Sequence, residues 1–70
     1  HAERLEEVKT ACTTAQSAMD IVPIMFRRPL DSHQLTFAIG EALAHLHKLW
    51  YDGVLRREAG EDGVLRFVLK

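Results

Sequence analysis

The chain is short of most of the features that announce a chemistry. It has a single cysteine, Cys12, so it can form no internal disulfide and no cysteine-rich zinc site. By its position among helical apolar residues, Cys12 is a small buried residue of a first helix rather than a reactive thiol. No apolar run approaches the ~20 residues of a membrane-spanning helix, and no signal sequence opens the chain. The expected setting is cytoplasmic, with no membrane partner. Nine Lys and Arg against ten Asp and Glu leave a formal charge of -1, which gives no overall pull toward nucleic acid or anionic lipid. There is no glycine-rich phosphate loop, no H-E-x-x-H pair and no nucleophile placed beside a base.

What remains is a small amphipathic domain. Seventy residues, 47% hydrophobic and 27% charged, suffice for one core, though a chain of this size hides only about 60% of its unfolded surface. The first residue is His1 rather than Met, and it runs straight into a charged amphipathic segment. The chain therefore reads as residues 1–70 of one domain, cut from a larger protein.

Hydrophobic periodicity gives the order of elements. From His1 to Cys12, Leu5, Val8 and Cys12 recur at helical spacing, with Ala15 continuing the stripe. Charges at Glu3, Arg4, Glu6, Glu7 and Lys9 fill the other side, which predicts a first helix of about three turns. Thr13 and Thr14 are β-branched and mark a break. Ser17 and Asp20 then form a short-armed version of a capping box. The second helix is expected to place Met19, Val22 and Phe26 on one side, with Ile21 and Met25 beside them. Pro23 either kinks this helix or starts it, and the end is expected near Arg28-Pro29.

The dominant element is the stretch Ser32–Gly53, SHQLTFAIGEALAHLHKLWYDG. Leu35, Ile39, Ala42, Leu46 and Leu49 lie on one side of a long third helix, widened by Leu43 and Trp50. Asp31 or Ser32 caps its start, and Gly53 suits the left-handed turn at its end. Beyond it, Val54–Glu58 and Val64–Leu69 are two β-rich runs flanking Ala59-Gly60-Glu61-Asp62-Gly63, the composition of a hairpin turn. Leu65, Phe67 and Leu69 alternate with Val64, Arg66 and Val68, as in a half-buried strand.

Three helices and a two-stranded hairpin make an α+β winged-helix order, in which helices two and three form a helix-turn-helix and the hairpin is the wing. A short extra strand near Leu30 would complete the sheet. The third helix of such a domain often reads the DNA major groove, a role that its outward face would have to support chemically. Opposite the leucine stripe stand Phe37, Gly40, Ala44, Lys48 and Tyr51, with His33 and Glu41 alongside. Groove reading needs Arg, Lys, Asn or Gln at such positions, and only Lys48 is cationic. Arg56, Arg57 and Arg66 of the hairpin are offset by Glu58, Glu61 and Asp62. DNA binding, as in a transcriptional regulator, is therefore the alternative and not the leading reading.

That face suits protein contact better. A mid-helix glycine costs roughly 0.5–1 kcal/mol against alanine. Gly40 and Ala44, one turn apart between Phe37 and Tyr51, outline a shallow groove. It either docks on another protein surface, most simply the rest of the same polypeptide, or lies under the domain's own first helix or wing. The four histidines do not form a metal site. His45 and His47 point about 160° apart on a helix, and His33 and His47 are fourteen residues apart along it. Glu41 and His45 are placed for a surface pair, or His45 for a bond near the hairpin. Arg27 and Arg28 fit the negative end of a helix dipole, with a basic patch as the other reading.

The runs Met19-Asp20-Ile21-Val22-Pro23-Ile24-Met25-Phe26 and Phe37–Leu46, with Leu49 and Asp52-Gly53-Val54-Leu55-Arg56-Arg57, carry a resemblance. The most specific part is E-A-L-A-H-L-x-x-L-x-x-x-G from Glu41 to Gly53. Over essentially its whole length the chain resembles the winged-helix domain at the C-terminal end of many metallo-β-lactamase-fold hydrolases. In those proteins the opening helix, here His1-Ala2-Glu3-Arg4-Leu5, leads out of the catalytic domain. The resemblance implies an upstream αββα catalytic domain that holds one or two metal ions, zinc or another divalent metal, in an H-x-H-x-D-H motif. Such domains cleave esters, thioesters or phosphodiesters with a metal-activated water. That motif is not in this chain, so no catalytic, cofactor-binding or metal residue carries over. What carries over is an accessory role, packing beside the catalytic domain of the same polypeptide and helping to shape substrate access.

Overall fold

Side-chain caps decide where the helices begin. The computed structural model describes residues 2–70, with side chains from residue 4 onward; the expected start of the first helix at His1 lies outside the described residues. Helix α1 covers Ala2–Ala11. Cys12 leaves it, with its amide reaching the carbonyls of Val8 and Lys9 at 3.1 Å each, just before the threonine pair.

Helix α2 covers Ala18–Met25 and opens on the capping box expected at Ser17 and Asp20. The Asp20 amide donates to Ser17 Oγ at 3.2 Å, and the Ser17 amide donates to Asp20 Oδ2 at 2.9 Å. Pro23 lies inside α2 and does not start it; it has no N–H to offer the carbonyl of Met19. The helix stops three residues short of the expected Arg28, because Phe26 is already extended at φ -127. The buried side runs through Ile21, Val22 and Met25. Met19 lies roughly 110° from that direction at 100° per residue and is 53% exposed, not part of the buried stripe.

Helix α3 covers Ser32–Tyr51 and is capped by Asp31, not by Ser32. The Gln34 amide donates to Asp31 Oδ1 at 2.8 Å, and the Asp31 amide donates to Gln34 Oε1 at 3.1 Å. The far end is a Schellman turn. Val54 N–H reaches the Leu49 carbonyl at 2.9 Å and Gly53 N–H the Trp50 carbonyl at 3.0 Å, with Gly53 at φ +80.

Strands β1 (Leu55–Ala59) and β2 (Leu65–Leu69) pair antiparallel, with Arg57 opposite Phe67. The third sheet contact is not near Leu30. It is an isolated antiparallel bridge between Gln16 and Phe67. Gln16 gives its amide and takes a bond on its carbonyl, at 2.9 and 2.8 Å, while Leu69 N–H reaches Cys12 O at 2.8 Å. Leu30 is only half-buried between Pro29, which has no amide to donate, and the cap residue Asp31. The inner edge of β2 is thus occupied by the α1–α2 link. The outer edge belongs to β1, whose Arg56, Arg57 and Glu58 are exposed, the usual protection of an open edge.

The core draws on every element. Val8 and Cys12 come from α1, Ile21, Val22 and Met25 from α2, and Ala38, Ala42, Leu46 and Leu49 from α3. Leu55 and Phe67 close it from the hairpin. The Cα extents are 32 × 31 × 17 Å. Helices are 10–12 Å thick with side chains, so this plate holds about two layers. Helix α3 is covered on one side, and its other side is left to solvent.

Candidate docking surface

Helix α3 carries all five residues expected on the outward face, and every one of them is exposed. Phe37 is 66% and Tyr51 85% exposed, so neither ring lies under α1 or the hairpin. They stand fourteen residues apart, about 21 Å along the axis. Between them a Cβ added at Gly40 would meet nothing within 4 Å, so the groove there is open. Lys48 is drawn to the last turn, with Nζ 3.0 Å from Asp52. Glu41 is half-buried and His33 exposed beside the face.

Two shallow concavities extend this surface beyond α3. One, of about 230 Å³, is lined by Leu5, Ala44, His45 and Lys48, so α1 contributes to its wall. The other, of about 260 Å³ at the head of α3, is lined by Phe26, Arg28, Leu30, His33, Gln34 and Phe37. Sequence reasoning found Phe37 from its helical phase but missed the partners in the α2–α3 connector. Their signal was weak, because Leu30 and Arg28 sit in a segment with no periodicity to place them.

The histidines divide as their helical phase requires. His45 Nδ1 lies 2.7 Å from the Glu41 carbonyl, so its bond goes to the backbone and not to the Glu41 carboxylate or the hairpin. It is His47 that meets the hairpin. Its Nδ1 lies 3.0 Å from the Leu43 carbonyl, and the tautomer with hydrogen on Nδ1 leaves Nε2 to accept from Arg57 at 3.3 Å. The ring packs edge-on against Phe67, 5.3 Å between centroids. The Arg57 guanidinium also covers Trp50 at 3.9 Å; Trp50 is 38% exposed and lies at the edge of the leucine stripe, not inside it.

The remaining hairpin arginines are also engaged. Arg56 pairs with Glu58 at 3.2 Å and Arg66 with Asp62 at 2.9 Å. The side-chain bonds from Arg66, with the Val64 amide, hold the Asp62 carboxyl at about 2 against its ordinary 3.8. At the end of α2, Arg27 donates from Nε to the Ile24 carbonyl at 3.3 Å and pairs with Glu7 at 2.7 Å, as suits a helix C-terminus. Arg28 makes no ion pair or hydrogen bond with another described residue. Burial pushes the Cys12 thiol up to about 11, which keeps it protonated and unreactive at neutral pH. Among the described residues, no group of three or more His, Cys, Asp or Glu is placed to hold a metal ion. No helix among them is long and apolar enough to cross a membrane.

Residues 5–70 match the family model of the metallo-beta-lactamase-like C-terminal domain. No curated protein matches the chain. Among solved structures, the chain is similar to a beta-lactamase domain protein from Burkholderia ambifaria, at 60% identity and a TM-score of 0.97. The match covers 100% of this chain and 21% of that one, so the chain spans about a fifth of the length of that relative. The chain belongs to the family of metallo-beta-lactamase-like C-terminal domains.

Proposed function

We propose that this chain is the non-catalytic accessory domain at the C-terminal end of a metal-dependent hydrolase. In this reading residues 1–70 form one winged-helix domain that packs on the catalytic domain of the same cytoplasmic polypeptide. Contact is made through the outward face of α3, by Phe37, Gly40, Ala44, Lys48 and Tyr51, and the packed domain helps shape substrate access. Zinc or another divalent metal belongs to the catalytic domain, where it activates the attacking water.

The observation that carries this reading is the exposure of Phe37 and Tyr51, at 66% and 85%, on a helix whose family is defined by its place in a larger chain. Large aromatics at that exposure on either side of a flat Gly40–Ala44 strip are what a covered interface needs. DNA reading has less support. The hairpin arginines are committed to Glu58, Asp62, Trp50 and His47, and the α3 face offers one lysine for phosphate contact.

The test is the double substitution Phe37→Asp and Tyr51→Asp in the full-length protein. Both side chains are exposed, so the domain keeps its fold. Undocking is expected to raise the rate of proteolysis at the junction with the catalytic domain by about tenfold or more, the equivalent of 1.4 kcal/mol. Kinetics toward a bulky substrate are expected to change while bound metal stays constant. Unchanged proteolysis and kinetics would refute the reading.

A further inference from the structure

We infer that the concavity at the head of α3 receives an acidic segment of the catalytic domain, one that presents a carboxylate beside an apolar side chain. The inference rests on the docking reading above and specifies which chemistry the partner surface brings.

Concavities of about 450, 230 and 260 Å³ on this domain differ in charge. The one between α1 and α2 is lined by Glu6, Glu7 and Arg27 with Thr10, Ala11 and Ile24. Its cation is already satisfied, since Arg27 lies 2.7 Å from Glu7. The one beside α1 has Lys48 as its cation, and Lys48 is held by Asp52 at 3.0 Å. The concavity at the head of α3 is different. Its lining contains Arg28 and His33 and no carboxylate, and Arg28 makes no ion pair or hydrogen bond with another described residue.

The other polar groups around it reinforce the sign. Asp31, the carboxylate next to it in sequence, has Oδ1 turned into the helix cap by the Gln34 amide at 2.8 Å. The Gln34 carbonyl oxygen is taken by the Asp31 amide, which leaves its NH₂ as a donor. The Arg4 guanidinium stands over the Phe26 ring, 5.3 Å from its centre, and adds a second positive charge beside the site. The polar lining thus offers donors and cations to an anion.

The apolar part of the lining fixes the rest of the ligand. Phe26, Leu30 and Phe37 are its apolar lining, and Phe37 belongs to the docking face as well. A partner that covers Phe37 therefore reaches this concavity without a break. A carboxylate suits Arg28 because the planar guanidinium fork matches it in two parallel bonds. The neighbouring apolar side chain excludes water and strengthens that pair beyond the small value of an exposed one.

The experiment places a photo-crosslinking amino acid at His33, at Phe37 or at Tyr51 in the full-length protein and maps the attached peptides. Crosslinks from position 33 are expected on a catalytic-domain segment that contains Asp or Glu next to an apolar residue. Arg28→Glu is expected to lower that crosslinking about tenfold, and a matching Asp or Glu→Arg exchange in the mapped segment to restore it. If positions 37 and 51 reach the catalytic domain but 33 does not, the docking reading stands and this inference fails. If none of the three does, both fail. Crosslinks between two copies of the chain, or a carboxylate-free target segment, would overturn the inference. So would an Arg28→Glu variant that crosslinks normally but binds an anionic substrate poorly, in favour of a substrate subsite.

Discussion

The two sides of α3 reverse the usual distribution of size. Toward the core the helix buries Ala38, Ala42, Leu46 and Leu49, two of them alanines. Toward solvent it places Phe37 and Tyr51, two of the five aromatic residues in the whole chain, counting Phe 3, Trp 1 and Tyr 1. Small residues inside let α2 approach closely across a plate 17 Å thick. Phe37 and Tyr51, at 66% and 85% exposure, contribute little to that packing, so the fold gives little reason for them. One side is accounted for by the domain itself, and the other by a surface that covers it.

Substitutions can break or sharpen that contrast. The largest effect belongs to the inner side. Leu46 is fully buried, so Leu46→Ala is expected to cost about 2–5 kcal/mol in urea denaturation of the 70-residue chain. Tyr51→Ala on the outer side is expected to stay within about 0.5 kcal/mol. Similar costs at both positions would erase the distinction.

Two glycines of the same stretch give opposite signs. Gly53 holds φ +80 in the Schellman turn, and Gly53→Ala is expected to destabilise by about 1 kcal/mol or more. Gly40 is helical and open, so Gly40→Ala is expected to stabilise the isolated chain by about 0.5–1 kcal/mol. Equal signs in thermal unfolding would show that Gly40 has a structural duty inside the domain.

Smaller again is the hairpin attachment. Arg57 stacks on Trp50 and bonds to His47, and Arg57→Ala is expected to lose about 0.5–1 kcal/mol, with a change in Trp50 fluorescence. The smallest effect is at the turn. The Asp62 carboxyl is held at about 2 against 3.8, so its contribution is complete above 3.8 and fades as pH falls through about 2. Carboxyl titration by NMR is expected to show that low midpoint, and Asp62→Asn to remove this part of the acid-side loss.

Most of the fold could be read from periodicity and caps. The long leucine stripe, the Ser17–Asp20 box and Gly53 each act through neighbours a few residues away, where sequence spacing fixes geometry. What escaped was set by distant contacts. The bridge from Gln16 to Phe67 joins residues fifty-one apart, and nothing at Gln16 signals it. Met19 was misplaced because on an eight-residue helix the buried direction depends on how α2 sits on α3, not on its own apolar pattern. The same limit applied to the surface. Helical phase found Phe37, Gly40, Ala44, Lys48 and Tyr51, but not that Phe26, Arg28 and Leu30 extend it, because they lie in an irregular connector. His47 rather than His45 meets the hairpin, a choice made by the docking of β1 and β2.

The most direct test of the docking reading is hydroxyl-radical footprinting of Phe37 and Tyr51 in the full-length protein and in the 70-residue chain. The expected result is strong protection of both rings in the full-length protein alone, with Val64 and Leu65 at the hairpin tip labelled comparably in both. Equal labelling of Phe37 and Tyr51 in the two proteins would contradict it.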